Sequence, residues 1–379
     1  MKAPVRNFII RDAGGTREAE TLVIGRGIPL STTAGGLPEL ASLLVGETQL
    51  MPSGGDDTQA IRDALARFGG VRLGPGEFNV SGQIEVGTGQ SVAGCGPDRT
   101  RMLTSSAPAG LSAIFHLTGS GATVEGMNVF GNAASCVSAD SATGARIRDL
   151  RLNTSQYGIK LSGVAHGEVS GVFTESVWGT GLHATGGEQL VVSGLKVDSA
   201  SQGLVLSSVR GAQCTGLRLR VDQTGVTASG TALAFSSVQI EDGQYGLRIA
   251  GGLGVTVSGL QTLNVESTAL EVTGSTAVAL AGCCARNTEG TYLHIGSSNG
   301  VTVDGLLCDA RLVLATMPYV VVDSGSMQVR LSGTHRLNPY NWPPPQYEVD
   351  VTAAGGRVVF IQHNFDPARI NSGGNFAQL

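Results

Sequence analysis

Apolar and polar positions alternate along most of this chain in a pattern that returns at a fixed interval. One motif, apolar-x-small-apolar-x-apolar, reads VEGMNV at 124–129, IRDLRL at 147–152, VSGVFT at 169–174, VSGLKV at 192–197, CTGLRL at 214–219, VSGLQT at 257–262 and VDGLLC at 303–308. With weaker copies at Ser237 and Gly282, its third positions fall at 126, 149, 171, 194, 216, 237, 259, 282 and 305, steps of 21 to 23 residues. A second motif keeps phase with it: YGIKL at 157–161, TGLHA at 180–184, QGLVL at 202–206, YGLRI at 245–249, TALEV at 268–272 and TYLHI at 291–295. Both alternate with period 2, so short strands recur in every repeat. A unit of about 22 residues cannot bury its inward side chains alone, whereas turns stacked about 4.8 Å apart supply one another with core and hydrogen-bond partners.

The pattern predicts an all-β chain wound into a right-handed parallel β-helix, a single-stranded solenoid of about 22 residues per coil over 53–310. Its inward column is Met127, Leu150, Val172, Leu195, Leu217, Val238, Leu260, Cys283 and Leu306, with Val129, Leu152, Thr174, Val197, Leu219 and Ile240 beside it. Leucine-rich repeats have a similar length, but their Leu-x-x-Leu-x-Leu-x-x-Asn consensus is missing.

An open stack leaves unpaired edges at its ends. At 56–68 the sequence predicts a short amphipathic capping helix with an aspartate as N-cap, Ile61, Ala64, Leu65 and Phe68 on one face, and Gly69 and Gly70 as the stop. Residues 1–52 fall outside the period, with apolar strands expected at 8–12 and 22–25, and read either as an anchor or as a layer of capping strands. After Asp309 the period fails again, and 311–379 is expected to form a C-terminal β-structured cap and subunit contact.

The segments GDDTQAI (55–61), GVRLGPGEFNV (70–80) and VAGCG (92–96) make the start of the stack specific. This opening resembles that of pectate-lyase-superfamily β-helix proteins, a group of polysaccharide lyases, epimerases, glycosidases and bacteriophage tailspikes. The Tyr-Gly-Ala-x-Gly-Asp-Gly strand usual before it is reduced here to QLMPSGG at 49–55. The resemblance implies the fold, a polysaccharide partner and, in spikes, a particle anchor in the region matching residues 1–52; its motifs mark architecture rather than chemistry.

Composition narrows the choice. The 56 glycines among 379 residues, without a Gly-X-Y period, mean many tight corners. A net charge of -5 offers no field for a phosphate backbone, so nucleic acid is not an expected partner. No apolar run is long enough to insert in a membrane, and the N-terminal residues show no secretory signal, which predicts synthesis in the cytoplasm. The six cysteines lack Cys-x-x-Cys spacing and read as small buried thiols; neither a metal nor a cofactor is expected.

Chemistry is sought on outward columns, where adjacent turns bring side chains within about 5 Å. One such column runs Asn153, Glu175, Asp198, Arg220, Glu241, Arg286 and Asp309, with a slip near Leu263 and Asn264. Glu175 and Asp198, with Glu241, are the candidate catalytic carboxylates, because paired acids at that spacing push their pKa values apart; Arg220 would tune them and contact glycan. The same column reads equally as a solvated ladder of compensating charges. Trp178, Tyr157 and Tyr245 are candidate sugar-stacking residues, although the two tyrosines recur at one corner of the repeat and also suit corner packing. His183 and His294, five turns apart, are expected as exposed surface residues. Only three lysines and no Asp-x-Asp cluster in the repeats disfavour a calcium-dependent lyase. The expectation is a trimeric spike or fibre on a phage-like particle that binds bacterial surface polysaccharide and touches other virion proteins through residues 1–52. The alternative is a glycosidase or lyase of the same fold, and an intracellular scaffold is a third reading.

Overall fold

The computed structural model describes residues 8–12, 15–19, 48–104, 110–309, 317–323, 325–337, 348–351, 358–361, 365, 367–371 and 376–378. The chain forms two units, 1–46 and 47–379. In the first, Phe8–Asp12 pairs antiparallel with Gly15–Ala19. The strand expected at 22–25 lies outside the described residues.

The second unit is a parallel β-solenoid of about 12 turns, about 23 residues each. One turn illustrates all of them: Glu168–Ser170 lies in a first sheet, Phe173–Glu175 in a second and Thr180–Thr185 in a third. Each strand pairs in parallel with its counterpart one turn on, starting at Val191, Lys196 and Gln202 respectively.

The first motif is two strands hinged at one residue. Its small third position, Gly126, Asp149, Gly171, Gly194, Gly216, Ser237, Gly259, Gly282 or Gly305, has φ between 50° and 71°. The left-handed bend turns the chain from the first sheet into the second, which is why glycine dominates there and short polar residues replace it. A second left-handed column, Thr154, Ser176, Ser199, Asp242, Asn264 and Asn287, follows the second sheet.

Every residue assigned to the inward column is buried, from Met127 and Val129 through Leu306. Two interior threonines of the second sheet, Thr174 and Thr262, are buried with hydroxyls that lack a hydrogen-bond partner. The six cysteines are free thiols; Cys136, Cys214, Cys283 and Cys308 are buried, while Cys95 and Cys284 are partly exposed.

At the N-terminal end, Thr48–Leu50 already pairs in parallel with Gly70–Leu73. The helix α1 spans Thr58–Phe68, buries Ile61, Ala64 and Leu65, and ends at Gly69, whose left-handed N–H donates to the Leu65 carbonyl. Its start differs in detail from the expected N-cap. Asp57 occupies the cap position without capping, its carboxylate accepting instead from the Ser53 and Asn79 N–H groups, and Asp56 Oδ1 takes the Thr58 N–H at 3.0 Å. Beyond Asp309 the step from Gly305 to the equivalent Gly333 widens to 28 residues, yet Val329–Ser332, Val358–Ile361 and Phe376–Gln378 continue the parallel stack.

Candidate functional site

The second sheet ends in the predicted column, and its register is as the spacing implied: Asn153, Glu175, Asp198, Arg220, Glu241, Leu263, Arg286 and Asp309 pair in succession, although Asn153 and Asp309, expected to face outward, are buried. Leu263 fills the slip, because the following Asn264 takes the left-handed corner. A second outward row, two residues earlier, faces it with Arg151, Phe173, Lys196 and Arg218.

The carboxylates are engaged by these neighbours. Glu175 Oε2 accepts from Arg151 Nε at 2.9 Å and Nη2 at 2.5 Å. Arg151 and Lys196 also hold their cations 5.5 and 4.2 Å from the Phe173 ring centre. Glu241 Oε1 accepts from Gln239 Nε2 at 2.7 Å and lies 3.6 Å from Arg218. Arg220 reaches Asp198 at 4.0 Å and donates from Nε to Asp242 at 3.2 Å. Asp242 then accepts from Asn264 Nδ2, and Asn264 from Asn287 Nδ2, at 3.4 and 3.3 Å, so the corner carries a hydrogen-bonded ladder that ends on Arg220.

The corner between the second and third sheets brings the aromatic candidates beside this column. Trp178 sits in the turn between Glu175 and Thr180, is 63% exposed, and donates its backbone N–H to the Ser155 carbonyl. Tyr157 opens the third-sheet strand of the preceding turn, with its Cα paired to Thr180, and Tyr245 opens the strand four turns on. Both tyrosines pack against cations of their own strands. Lys160 Nζ stands 5.6 Å from the Tyr157 ring centre and Arg248 4.4 Å from that of Tyr245, while the His183 ring lies 5.5 Å from Tyr157. Burial, then the Lys160 ammonium, holds the His183 pKa below its ordinary value.

The histidines are not the exposed surface residues expected from sequence; His183 and His294 are both half-buried. His294 lies between two carboxylates on the third sheet, Nε2 2.9 Å from Asp323 Oδ2 and Nδ1 3.7 Å from Glu271 Oε1, and Glu271 accepts from Arg248 Nε. Eight turns earlier His116 stands between one carboxylate and an amide, 3.1 Å from Asp140 Oδ2 and 3.0 Å from Gln83 Nε2. The His116–Asp140 approach lacks hydrogen-bond alignment. In both modules the aspartate stands two residues past the strand partner of the histidine, one turn on. That offset was present in the sequence, but Asp323 lies across the lengthened turn where the period fails. Among the described residues, no group of three His, Cys, Asp or Glu side chains converges on a metal-sized site.

Residues 112–225 match the family model of the right-handed beta helix region. No curated protein matches the sequence. Among solved structures, the chain is similar to the Dettilon tailspike protein (13% identity, TM-score 0.56, covering 87% of this chain and 68% of that one). It is also similar to the catalytic unit of a GH87 α-1,3-glucanase from Streptomyces thermodiastaticus (15%, 0.55, 91% and 70%). A third is PfbA, a surface adhesin of Streptococcus pneumoniae (11%, 0.54, 86% and 91%). At these identities the likeness is one of fold, and the fold is the right-handed parallel β-helix that the repeat and the opening motifs implied.

Proposed function

We propose that this protein is a spike- or fibre-type protein of a phage-like particle that binds polysaccharide on a host cell surface through the ridge between its second and third sheets. The observation that carries the reading is Trp178, a 63% exposed indole at the corner where Tyr157 and the charged column meet. An exposed aromatic face beside fixed polar groups suits the apolar side of a pyranose ring with its hydroxyl rim. Tailspikes and an α-1,3-glucanase share the fold, which agrees with a glycan partner. In this reading residues 1–52 anchor the chain to other virion proteins, 53–310 present the glycan surface, and 311–379 join subunits into a trimer.

A second reading, a glycosidase or lyase, is favoured by one feature: Glu175 and Asp198 stand directly in register on adjacent turns. Glu175 and Asp198 would then be the acid and base or nucleophile, with Glu241 assisting. Incubation with capsular polysaccharides of candidate host bacteria, followed by size-exclusion chromatography, separates the two. Co-elution with chains of unchanged length, weakened by Trp178→Ala, supports a binding protein. Shortened chains, abolished by Glu175→Gln or Asp198→Asn, make it a depolymerase, and neither binding nor shortening refutes both.

A further inference from the structure

The third sheet is the least expected surface of this acidic chain. Between the Tyr157 and Tyr245 strands its outward positions form three rows. The first is Tyr157, Thr180, Gln202, Thr224 and Tyr245; the second is Lys160, His183, Val205, Thr227 and Arg248. The third runs Ser162, Thr185 and Ser207. None of these positions carries a carboxylate, although the whole chain has 30 acidic and 25 basic residues. Carboxylates return at both ends, at Asp140, which pairs with Ser162, and at Glu271, which pairs with Arg248.

The cations are arranged for a ligand lying along the stack. Lys160 has no carboxylate partner among the described residues and is held only against the Tyr157 ring. Arg248 lies over Tyr245 while bonded to Glu271, which fixes its position. The two tyrosine–cation pairs are four turns apart, about 19 Å at the spacing of stacked strands. Between them Thr180, Val205 and Thr224 are buried, and the accessible hydroxyl and amide groups of Thr185, Gln202, Ser207 and Thr227 match a sugar's hydroxyls in kind.

We infer that this strip is a binding track for a segment of acidic polysaccharide, a chain of sugars with carboxylates spaced along it, lying parallel to the solenoid axis from Tyr157 to Tyr245. The inference rests on the polysaccharide-binding reading above and adds the charge class, the direction and the length of the ligand. Charge density selects a glycan over a nucleic acid. A single strand carries a phosphate every 3.4 Å or so, about six over this interval, against one unpaired cation, Lys160, and one, Arg248, already bonded to Glu271. The acids at each end limit the track, because an anionic chain extended past them meets like charge.

The test is an array of bacterial capsular polysaccharides, half bearing uronates and half neutral, with a single-stranded oligonucleotide alongside, probed with the full chain and with Lys160→Glu and Lys160→Arg. The expected result is binding confined to uronate-bearing glycans, weakened at least tenfold by Lys160→Glu, restored by Lys160→Arg and reduced by salt. Fragments of a bound glycan should gain affinity with length only until they span the two tyrosines. Equal binding of neutral glycans, unchanged in Lys160→Glu, would overturn the track and leave the polysaccharide-binding reading standing. Continued gain with length would also overturn it, as would tighter capture of the oligonucleotide. No glycan bound at all would remove both.

Discussion

Two columns of glycine in this stack answer to different physics, and one substitution made in each column distinguishes them. Gly203 belongs to the third-sheet column Gly158, Gly181, Gly203, Gly225 and Gly246. A Cβ on Gly203 would come within 2.5 Å of the Gly225 carbonyl oxygen and 3.0 Å of Leu219 Cδ1. That carbonyl belongs to the next turn and cannot retreat without shifting its strand, so Gly203→Ala is an overpacking change, expected at the upper end of about 1–3 kcal/mol. Gly216, at the bend between the first and second sheets, has φ +64°, and a Cβ there would meet Gly194 backbone atoms at an ordinary 3.7 Å. Its cost is conformational: about 1–2 kcal/mol for the left-handed backbone, offset by about 0.4–1 kcal/mol from a stiffer unfolded chain. The net is about 1 kcal/mol. Urea unfolding measures the totals, and hydrogen exchange locates them, with Gly203→Ala expected to loosen the turns that contain Gly203 and Gly225. If Gly216→Ala proves as costly as Gly203→Ala, the assignment of one column to contact and the other to dihedral angle is wrong.

Two further outcomes follow from the same structure. Thr174→Val removes a fully buried hydroxyl without a partner and keeps the side-chain shape, so it should raise stability by about 1 kcal/mol; an unchanged or lower urea midpoint would show that the hydroxyl is satisfied in solution. Hydrogen bonds from Ser81 and then Thr58 lower the Asp56 carboxyl from 3.8 to about 2, so its contribution is complete above pH 4 and is lost as pH falls through about 2. Because Asp56 is exposed, that contribution is about 1 kcal/mol after solvent screening, and Asp56→Asn should flatten the acid limb of a stability-versus-pH curve by that amount.

The repeat was legible because burial repeats: one inward leucine or valine per turn keeps the period visible even where Cys283 or Val238 replaces leucine. The hinge inside the first motif was half legible. Its small position marked something, and Asp149 and Ser237 beside the glycines point to a left-handed residue, since short polar side chains tolerate that region best. The outward columns were legible in register but not in partnership. Glu175 opposite Asp198 follows from counting, whereas the Arg151 clasp on Glu175 and the Asn287–Asn264–Asp242 ladder depend on rotamers that no spacing encodes. The His294 module was hidden for another reason: its aspartate comes 29 residues later, past the irregular turn.

The left-handed hinges also set the unit in which this protein's dimensions can change. Gly194 and Gly216 are equivalent points one turn apart, and excising 195–216 would put Gly194 in the place of Gly216, with the same backbone conformation, and leave every later side chain facing as before. Loss of a single residue within a strand would instead exchange inside for outside until the chain recovered its phase. The distance from Tyr157 to Tyr245 is therefore graduated in whole turns, each about 4.8 Å: it can be lengthened or shortened by duplication or loss of a coil, and it works as a ruler whose divisions are fixed by backbone hydrogen bonds rather than by the side chains it measures with.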